Sequence, residues 1–309
     1  MIAGPTASGK SELAMRLCEA LGGELVSADS MQVYRGMDIL TAKPTAEERS
    51  RLPHHMIDVA EPSQEYSAAM YRDGARAAIN DITSRGKVAV MCGGTGLYIN
   101  AVTRPLSLGA RAQDSAVRAR YMEQGQDESG RIALFAMLTA LDPQCAARLH
   151  QNDVRRVARA LELIEITGIT PSEQVNRDRG QADLYDTRMF AINWSREGLC
   201  RRIDKRVDEM IRMGLFEEVA RLAVNPISHT ASQALGLKEA LLALRGELTP
   251  QEAVELIRLR TRQYAKRQMT WFRGDRRAVW VEAGPVDSMM DYVLKQPKKR
   301  PRPINEGWY

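Results

Sequence analysis

The sequence predicts an α/β protein, a doubly wound parallel sheet interrupted by an all-helical insertion domain. Three observations carry that prediction. Residues Gly4-Pro5-Thr6-Ala7-Ser8-Gly9-Lys10-Ser11 spell G-x-x-x-x-G-K-[ST], the loop that joins a strand to a helix. Strand-like and helix-like segments then alternate through the first hundred residues, as a parallel sheet requires. From 106 to 188 the pattern is helical only, and a strand pattern resumes at Met189.

Each element has a local reason. Only Met1-Ile2-Ala3 precede the loop, short of a full first strand, so the chain is expected to start late or to be trimmed there. Ser11-Glu12-Leu13-Ala14-Met15-Arg16-Leu17-Cys18-Glu19-Ala20-Leu21 places apolar residues at helical spacing, and Gly22-Gly23 stop it. Glu24-Leu25-Val26-Ser27-Ala28-Asp29 reads as a short strand ending on an acid. A helix is expected over 68–83, with Met70, Ala77, Ile79 and Ile82 among its apolar positions. Gly86 breaks the chain, and Lys87-Val88-Ala89-Val90-Met91-Cys92 is an apolar strand running into Gly93-Gly94-Thr95-Gly96. In the helical stretch Val154, Val157, Leu161 and Ile164 form an apolar stripe, with Arg155, Arg156 and Arg159 on the other faces. A strand over 189–194 follows, then helices over 196–212, 215–223, 234–244 and 250–271, and a last strand over 278–281. The resulting division is a catalytic core of 1–106 with 189–283, a helical insertion of 107–188, and a basic, proline-containing tail of 284–309. Residues 295–309 are expected to be solvated or loosely docked.

Composition narrows the class. The 309 residues suffice for two domains, or one carrying an insertion. At 44% hydrophobic and 27% charged they match an ordinary globular protein. The net charge of +5 is modest, yet the basic residues cluster, which permits a polyanionic partner. No apolar run nears the roughly 18 residues of a membrane span, and no charged-then-apolar leader is present, so a cytoplasmic protein is expected. Cys18, Cys92, Cys145 and Cys200 lie far apart and read as reduced thiols, not a zinc site. His54 and His55 are read as loop residues; His150 and His229 stand alone.

The chemistry begins with the glycine-rich loop. Its backbone N–H groups curl around a diphosphate, Lys10 adds positive charge, the Ser11 hydroxyl can hold Mg²⁺, and the following helix points its N-terminus at the anion. Lys10, Asp29 and Thr95 all fall at carboxyl ends of strands, where ligands of such sheets bind, so three loops converge on one crevice. A kinase, an NTPase, a nucleotide-binding module and a transferase using the cradle for another diphosphate all fit. They part at Asp29, which either positions metal-bound water or serves as a general base.

An ordered set of further motifs resembles the tRNA dimethylallyltransferase family, bacterial type, over nearly the whole chain. It runs through the loop of Gly4 to Ser11, Ser27-Ala-Asp-Ser-Met-Gln32 with Val33-Tyr34, and Gly36-Met-Asp-Ile-Leu-Thr-Ala-Lys-Pro44. Pro53-His-His55 and Gly93-Gly-Thr-Gly-Leu-Tyr98 follow, then Asn152-Asp153 with Arg156-Val-Ala-Arg-Ala-Leu-Glu162, and Tyr264-Ala-Lys-Arg-Gln-Met-Thr-Trp271. The resemblance implies a P-loop-kinase-like core with a helical insertion gripping the anticodon stem of tRNA. It implies transfer of a dimethylallyl group from dimethylallyl diphosphate to N6 of the adenosine on the 3′ side of the anticodon, by a monomer.

The resemblance also implies roles by position. Gly4, Pro5, Thr6, Ala7, Ser8, Gly9, Lys10 and Ser11 hold the diphosphate, with Mg²⁺ on Ser11. Asp29 is the general base, Thr95 contacts the reacting adenosine, and Lys10 and Arg206 stabilise the departing diphosphate. Asp29, Ser30, Met31, Gln32 and Thr95 receive the flipped adenosine and its neighbours, while Arg118, Arg155, Arg156, Val157, Ala158 and Arg159 touch the tRNA from the insertion. Gln233, Gly236, Lys238, Lys266 and Arg267 complete the tRNA set, although Gln233 and Leu237 replace an arginine and a tyrosine common in the family. Arg258, Arg262 and Lys266 share a helix face at i, i+4 spacing, with Arg267 and Arg273 beyond, and are assigned to phosphate contact. The main rivals are a small-molecule kinase, which leaves the arginine-rich insertion unexplained, and an isopentenyltransferase for free adenine nucleotides, which needs neither insertion nor basic helix. A prenyl synthase is disfavoured because the chain has no Asp-Asp pair.

Overall fold

The computed structural model describes residues 1–105, 115–178 and 183–296. It forms two compact units: Met1–Thr103 with the described residues from Tyr185 onward, and Arg104–Leu184.

The first unit is built on a six-stranded, all-parallel sheet in the order β3-β2-β4-β1-β5-β6. Its strands are β1 (Ile2–Ala3), β2 (Glu24–Ser27), β3 (His54–His55), β4 (Ala89–Gly93), β5 (Met189–Asn193) and β6 (Ala278–Glu282). Successive strand residues face opposite sides. Ile2, Leu25, Val90, Cys92, Phe190 and Ile192 pack under α1 (Lys10–Leu21) and α14 (Val286–Lys295). Ala3, Val26, Met91, Met189 and Ala191 enter the larger opposite core. That core holds α3 (Ala68–Ser84), α4 (Gly96–Thr103), α10 (Arg196–Arg212), α11 (Leu215–Leu222), α12 (Leu237–Leu244) and α13 (Pro250–Arg273). The short α2 (Ala46–Arg51) carries a capping box between Thr45 and Glu48.

Two-residue β1 is enough of a strand because it is central: Ile2 pairs with both Cys92 and Phe190. His54 and His55, expected in a loop, instead pair with Leu25 and Val26 as an edge strand. The His55 ring meets the Glu24 carboxylate at 2.8 Å, a contact no local pattern announces. Residues 286–295, expected within the tail, form α14, which buries Met289 and Val293. The rest of that tail, 297–309, lies outside the described residues.

The second unit is all-helical: α5 (Ser115–Gln124), α6 (Glu128–Leu141), α7 (Pro143–Ala146), α8 (Val154–Thr167) and α9 (Pro171–Asp178). Asp127, Asp142 and Asp153 cap α6, α7 and α8 with their side chains. The predicted stripe of α8 packs with Tyr121, Leu134 and Leu138 into a core of its own.

Candidate active site

The glycine-rich loop is shaped by left-handed backbone. Gly9 sits at φ +86°, Ala7 at +61° and Gly4 at +152°, where a Cβ would press tightly on Ser8 Oγ at 3.0 Å. Gly9 begins α1 without a side-chain cap, so the first-turn N–H groups remain for an anion. The loop is buttressed from α10: Arg202 Nε donates to the Ala7 carbonyl at 2.7 Å and its guanidinium covers the Trp194 ring, whose Nε1 donates to the Ser8 carbonyl at 2.9 Å.

Two cavities meet here. The first, about 360 Å³, is lined by Gly9, Lys10, Ser11, Arg202, Lys205 and Arg206 among others. Among the described residues Lys10 Nζ donates only to the Pro5 carbonyl, at 3.2 Å, and burial pushes its pKa below the ordinary value. Arg206, lowered likewise by burial, reaches only the Thr41 carbonyl, at 3.5 Å, among the described residues. Neither cation has a carboxylate partner within ion-pair distance among the described residues. Two desolvated cations with no ion-pair partner among the described residues leave charge for a bound anion to neutralise.

The second cavity, about 280 Å³, has an apolar floor of Leu40, Ile203, Val207, Met210 and Ile257. Thr6, Asp29 and Arg206 line both cavities. Asp29 follows β2 and turns its Oδ1 onto the Met31 N–H at 2.9 Å and the Gln32 N–H at 3.4 Å. Its Oδ2 keeps no hydrogen-bond partner among the described residues and is left for chemistry. Gln32 is braced by Ser27 Oγ at 2.9 Å and by the carbonyls of Thr41 and Ala42. Thr95 lines neither cavity; its Oγ1 accepts the Ser30 N–H at 3.1 Å, tying its loop to that of Asp29. Closure of the two loops depends on Gly93, where a Cβ would stand 2.2 Å from the Ala28 carbonyl oxygen.

Several residues that sequence reasoning missed complete the arrangement. Tyr264 lines the second cavity, and burial drives its pKa up to about 12, so it stays a neutral phenol. Gln268, 5% exposed, bridges Thr6 to Gly94. Trp271 packs so closely on Gly96 that a Cβ there would lie 2.2 Å from the indole. The motif from Tyr264 to Trp271 pointed to the segment without giving these three residues roles, since their partners are about 170 to 260 residues away.

The predicted RNA contacts separate into two groups. Met31, Gln233 and Arg267 line the second cavity, and Lys238 and Lys266 are exposed nearby in sequence. Gly236 is buried at φ +91° and caps α12, so it shapes backbone and offers no side chain. In the helical unit Arg155 and Arg156 are exposed, whereas Val157 and Ala158 are 1% and 0% exposed and belong to its core. These two cannot offer side chains to RNA. Arg118 and Arg159 both bind Glu162 at 2.8 Å. Burial alone would raise that carboxyl's pKa, but the two guanidiniums hold it below the ordinary range. The basic face of α13 also needs correction. Arg262 is bidentate to Asp204 at 2.6 Å, and Arg258 pairs with Asp208 and Glu255, so both fasten α13 to α10 and are not free for phosphate.

Comparison with known proteins converges on one family. The model described as IPP transferase matches residues 32–275. The tRNA dimethylallyltransferase of Geobacter metallireducens is 46% identical over 95% of this chain and 96% of its own length. That of Geobacter sulfurreducens is 47% identical over 96% and 95%. Among solved structures, the tRNA isopentenylpyrophosphate transferase of Bacillus halodurans is 39% identical with a TM-score of 0.69, covering 95% of this chain and 94% of its own. A eukaryotic dimethylallyltransferase acting on tRNA is 30% identical with a TM-score of 0.80, over 97% of this chain and 80% of its own.

Proposed function

The chain belongs to the IPP transferase family, and on that premise we propose that it is a tRNA dimethylallyltransferase using dimethylallyl diphosphate and an adenosine beside the anticodon. One observation supports this above others: Asp29 lines both the cavity of Lys10 and Arg206 and the apolar one, presenting a carboxylate oxygen that has no hydrogen-bond partner among the described residues. The diphosphate binds Lys10, Arg206 and the loop amides, where its charge grows as the allylic C–O bond breaks. The adenine, extruded from its stack at a cost of a few kcal/mol, enters by way of Met31, Gln233 and Arg267. As N6 bonds to the allylic carbon it becomes acidic, and Asp29 Oδ2 takes its proton. An ordinary carboxylate, with a pKa near 3.9, is too weak a base to remove it earlier.

Mg²⁺ fits the first cavity. No group of three His, Cys, Asp or Glu among the described residues forms a metal cage. Mg²⁺ needs none, because it keeps water ligands and takes substrate phosphate oxygens, leaving Ser11 to hold it. When bound, the ion takes up charge on the diphosphate. Exposed Lys266, Arg267, Arg155 and Arg156 supply phosphate contacts to the tRNA. No described helix is long and apolar enough to cross a membrane, and the reading places the enzyme in the cytoplasm with its tRNA.

Incubating the protein with labelled dimethylallyl diphosphate, ATP, tRNA and AMP tests the reading. Label on tRNA supports it; label on AMP, or phosphate transfer from ATP, overturns it.

A further inference from the structure

Glu218 of α11 is 3% exposed and belongs to neither cavity. Its Oε2 accepts the N–H groups of Asp38 (3.0 Å) and Ile39 (2.8 Å), and its Oε1 accepts that of Leu40 (2.9 Å). Three consecutive amides thus close on one buried carboxylate, which is the arrangement that best satisfies a charge removed from water. The residues that follow are the wall between the cavities: Leu40 and Thr41 line the apolar one, Ala42, Lys43 and Pro44 the cation-lined one. The far end of the wall is fixed by Lys43, whose Nζ donates to the Tyr34 carbonyl, Asp38 and Asp58. Between these anchors Ala42 is held at φ +44°, which an L residue adopts only when its surroundings impose it. The wall's carbonyls are what the site residues lean on: Thr41 O accepts from Arg206 and from Gln32, and Ala42 O accepts from Gln32.

We propose that Glu218 is a positioning residue for the transfer step, setting the partition between the two cavities and thereby the placement of Arg206 and Gln32. This rests on the prenyl-transfer reading above. When the wall shifts, Lys10 and the loop amides still hold the diphosphate, and Met31, Gln233 and Arg267 the adenine, but Arg206 moves and the distance between donor and acceptor changes. A misplacement of about 1 Å costs about a hundredfold in rate. Glu218→Gln replaces one accepting oxygen by an N–H₂ that confronts backbone N–H groups, so the wall must move.

The experiment measures prenylation of tRNA at saturating substrates, normalised to folded protein by circular dichroism. Glu218→Gln should lose about a hundredfold in kcat with KM for both substrates little changed. Glu218→Asp, which keeps the charge, should recover part of the rate. A merely structural role lowers the folded fraction without splitting kcat from KM. Folded Glu218→Gln turning over at the wild-type rate overturns the proposal while leaving the prenyl-transfer reading intact; absence of product from wild-type protein sinks both. Should Glu218→Gln fail to fold, amide exchange in the wild type decides. Protected N–H groups at Asp38, Ile39 and Leu40 support the clamp, and exchange as fast as an open loop overturns it.

Discussion

Gln268 Oε1 accepts the Thr6 N–H at 2.8 Å, while its Nε2 donates to the Gly94 carbonyl at 3.0 Å. One buried amide on α13 therefore joins the phosphate loop to the loop that carries Thr95. Gln268→Ala leaves both backbone groups without a partner, which costs about 1–3 kcal/mol. We expect a lower Tm in thermal denaturation and weaker diphosphate binding by calorimetry. Gly94→Ala should do the same from the other side, because its Cβ would stand 2.1 Å from Gln268 Nε2. Wild-type diphosphate affinity in both variants would show that the bridge is irrelevant to the site.

In the proposed reaction Asp29 would offer Oδ2 to the reacting nitrogen, while its Oδ1 holds its own loop. Asp29→Ala should keep tRNA affinity in a filter-binding assay yet lose about 10²–10⁴-fold in prenylation rate. Turnover near the wild-type level would exclude it as the base.

Charge on α13 divides by partner. Lys266→Ala with Arg267→Ala should flatten the dependence of log Kd for tRNA on log salt, by about one for each cation removed. Arg262→Ala should leave that slope alone and instead lower stability, because it breaks a bidentate pair with Asp204. Equal slopes for the double variant and Arg262→Ala would refute this division.

Glu24 is 2% exposed and gathers Arg85, Lys87 and His55 at the start of β2. Arg85 foremost, then Lys87, hold its carboxyl well below the usual carboxylate range. The unfolded chain, with a pKa near 4.3, binds the proton more readily than the folded one. The stabilisation from this group is therefore complete above that value and fades as pH falls toward the folded-state pKa. Glu24→Gln should unfold more easily than wild type at pH 7, with the gap narrowing below about pH 4. A gap that stays constant down to acid pH would contradict the assignment.

What was legible in the sequence was what is local. The phosphate loop, the alternation that makes a parallel sheet, and α10 over Arg196–Arg212 all follow from spacing and caps. Edge strand β3 was not, since two histidines show no strand pattern and gain their conformation from Leu25 and Val26. Site residues named through the loops came out near one another: Lys10, Ser11 and Asp29 line one cavity. Glu218 and Gln268 escaped because their roles exist only through backbone partners more than 170 residues away. Charge misled where pairing decided: Arg258 and Arg262 read as RNA contacts until Asp204 and Asp208, on a separate helix, claimed them. Val157 and Ala158 misled by adjacency, since neighbours of exposed arginines on a helix turn inward.

Trp194 touches the phosphate loop through its indole N–H, and Trp271 abuts the residue just after Thr95. Indole emission responds to nearby charge and polarity, so a diphosphate arriving at the proposed site beside Trp194 would register in the protein's own fluorescence. Diphosphate binding then becomes measurable by stopped flow without attaching a dye.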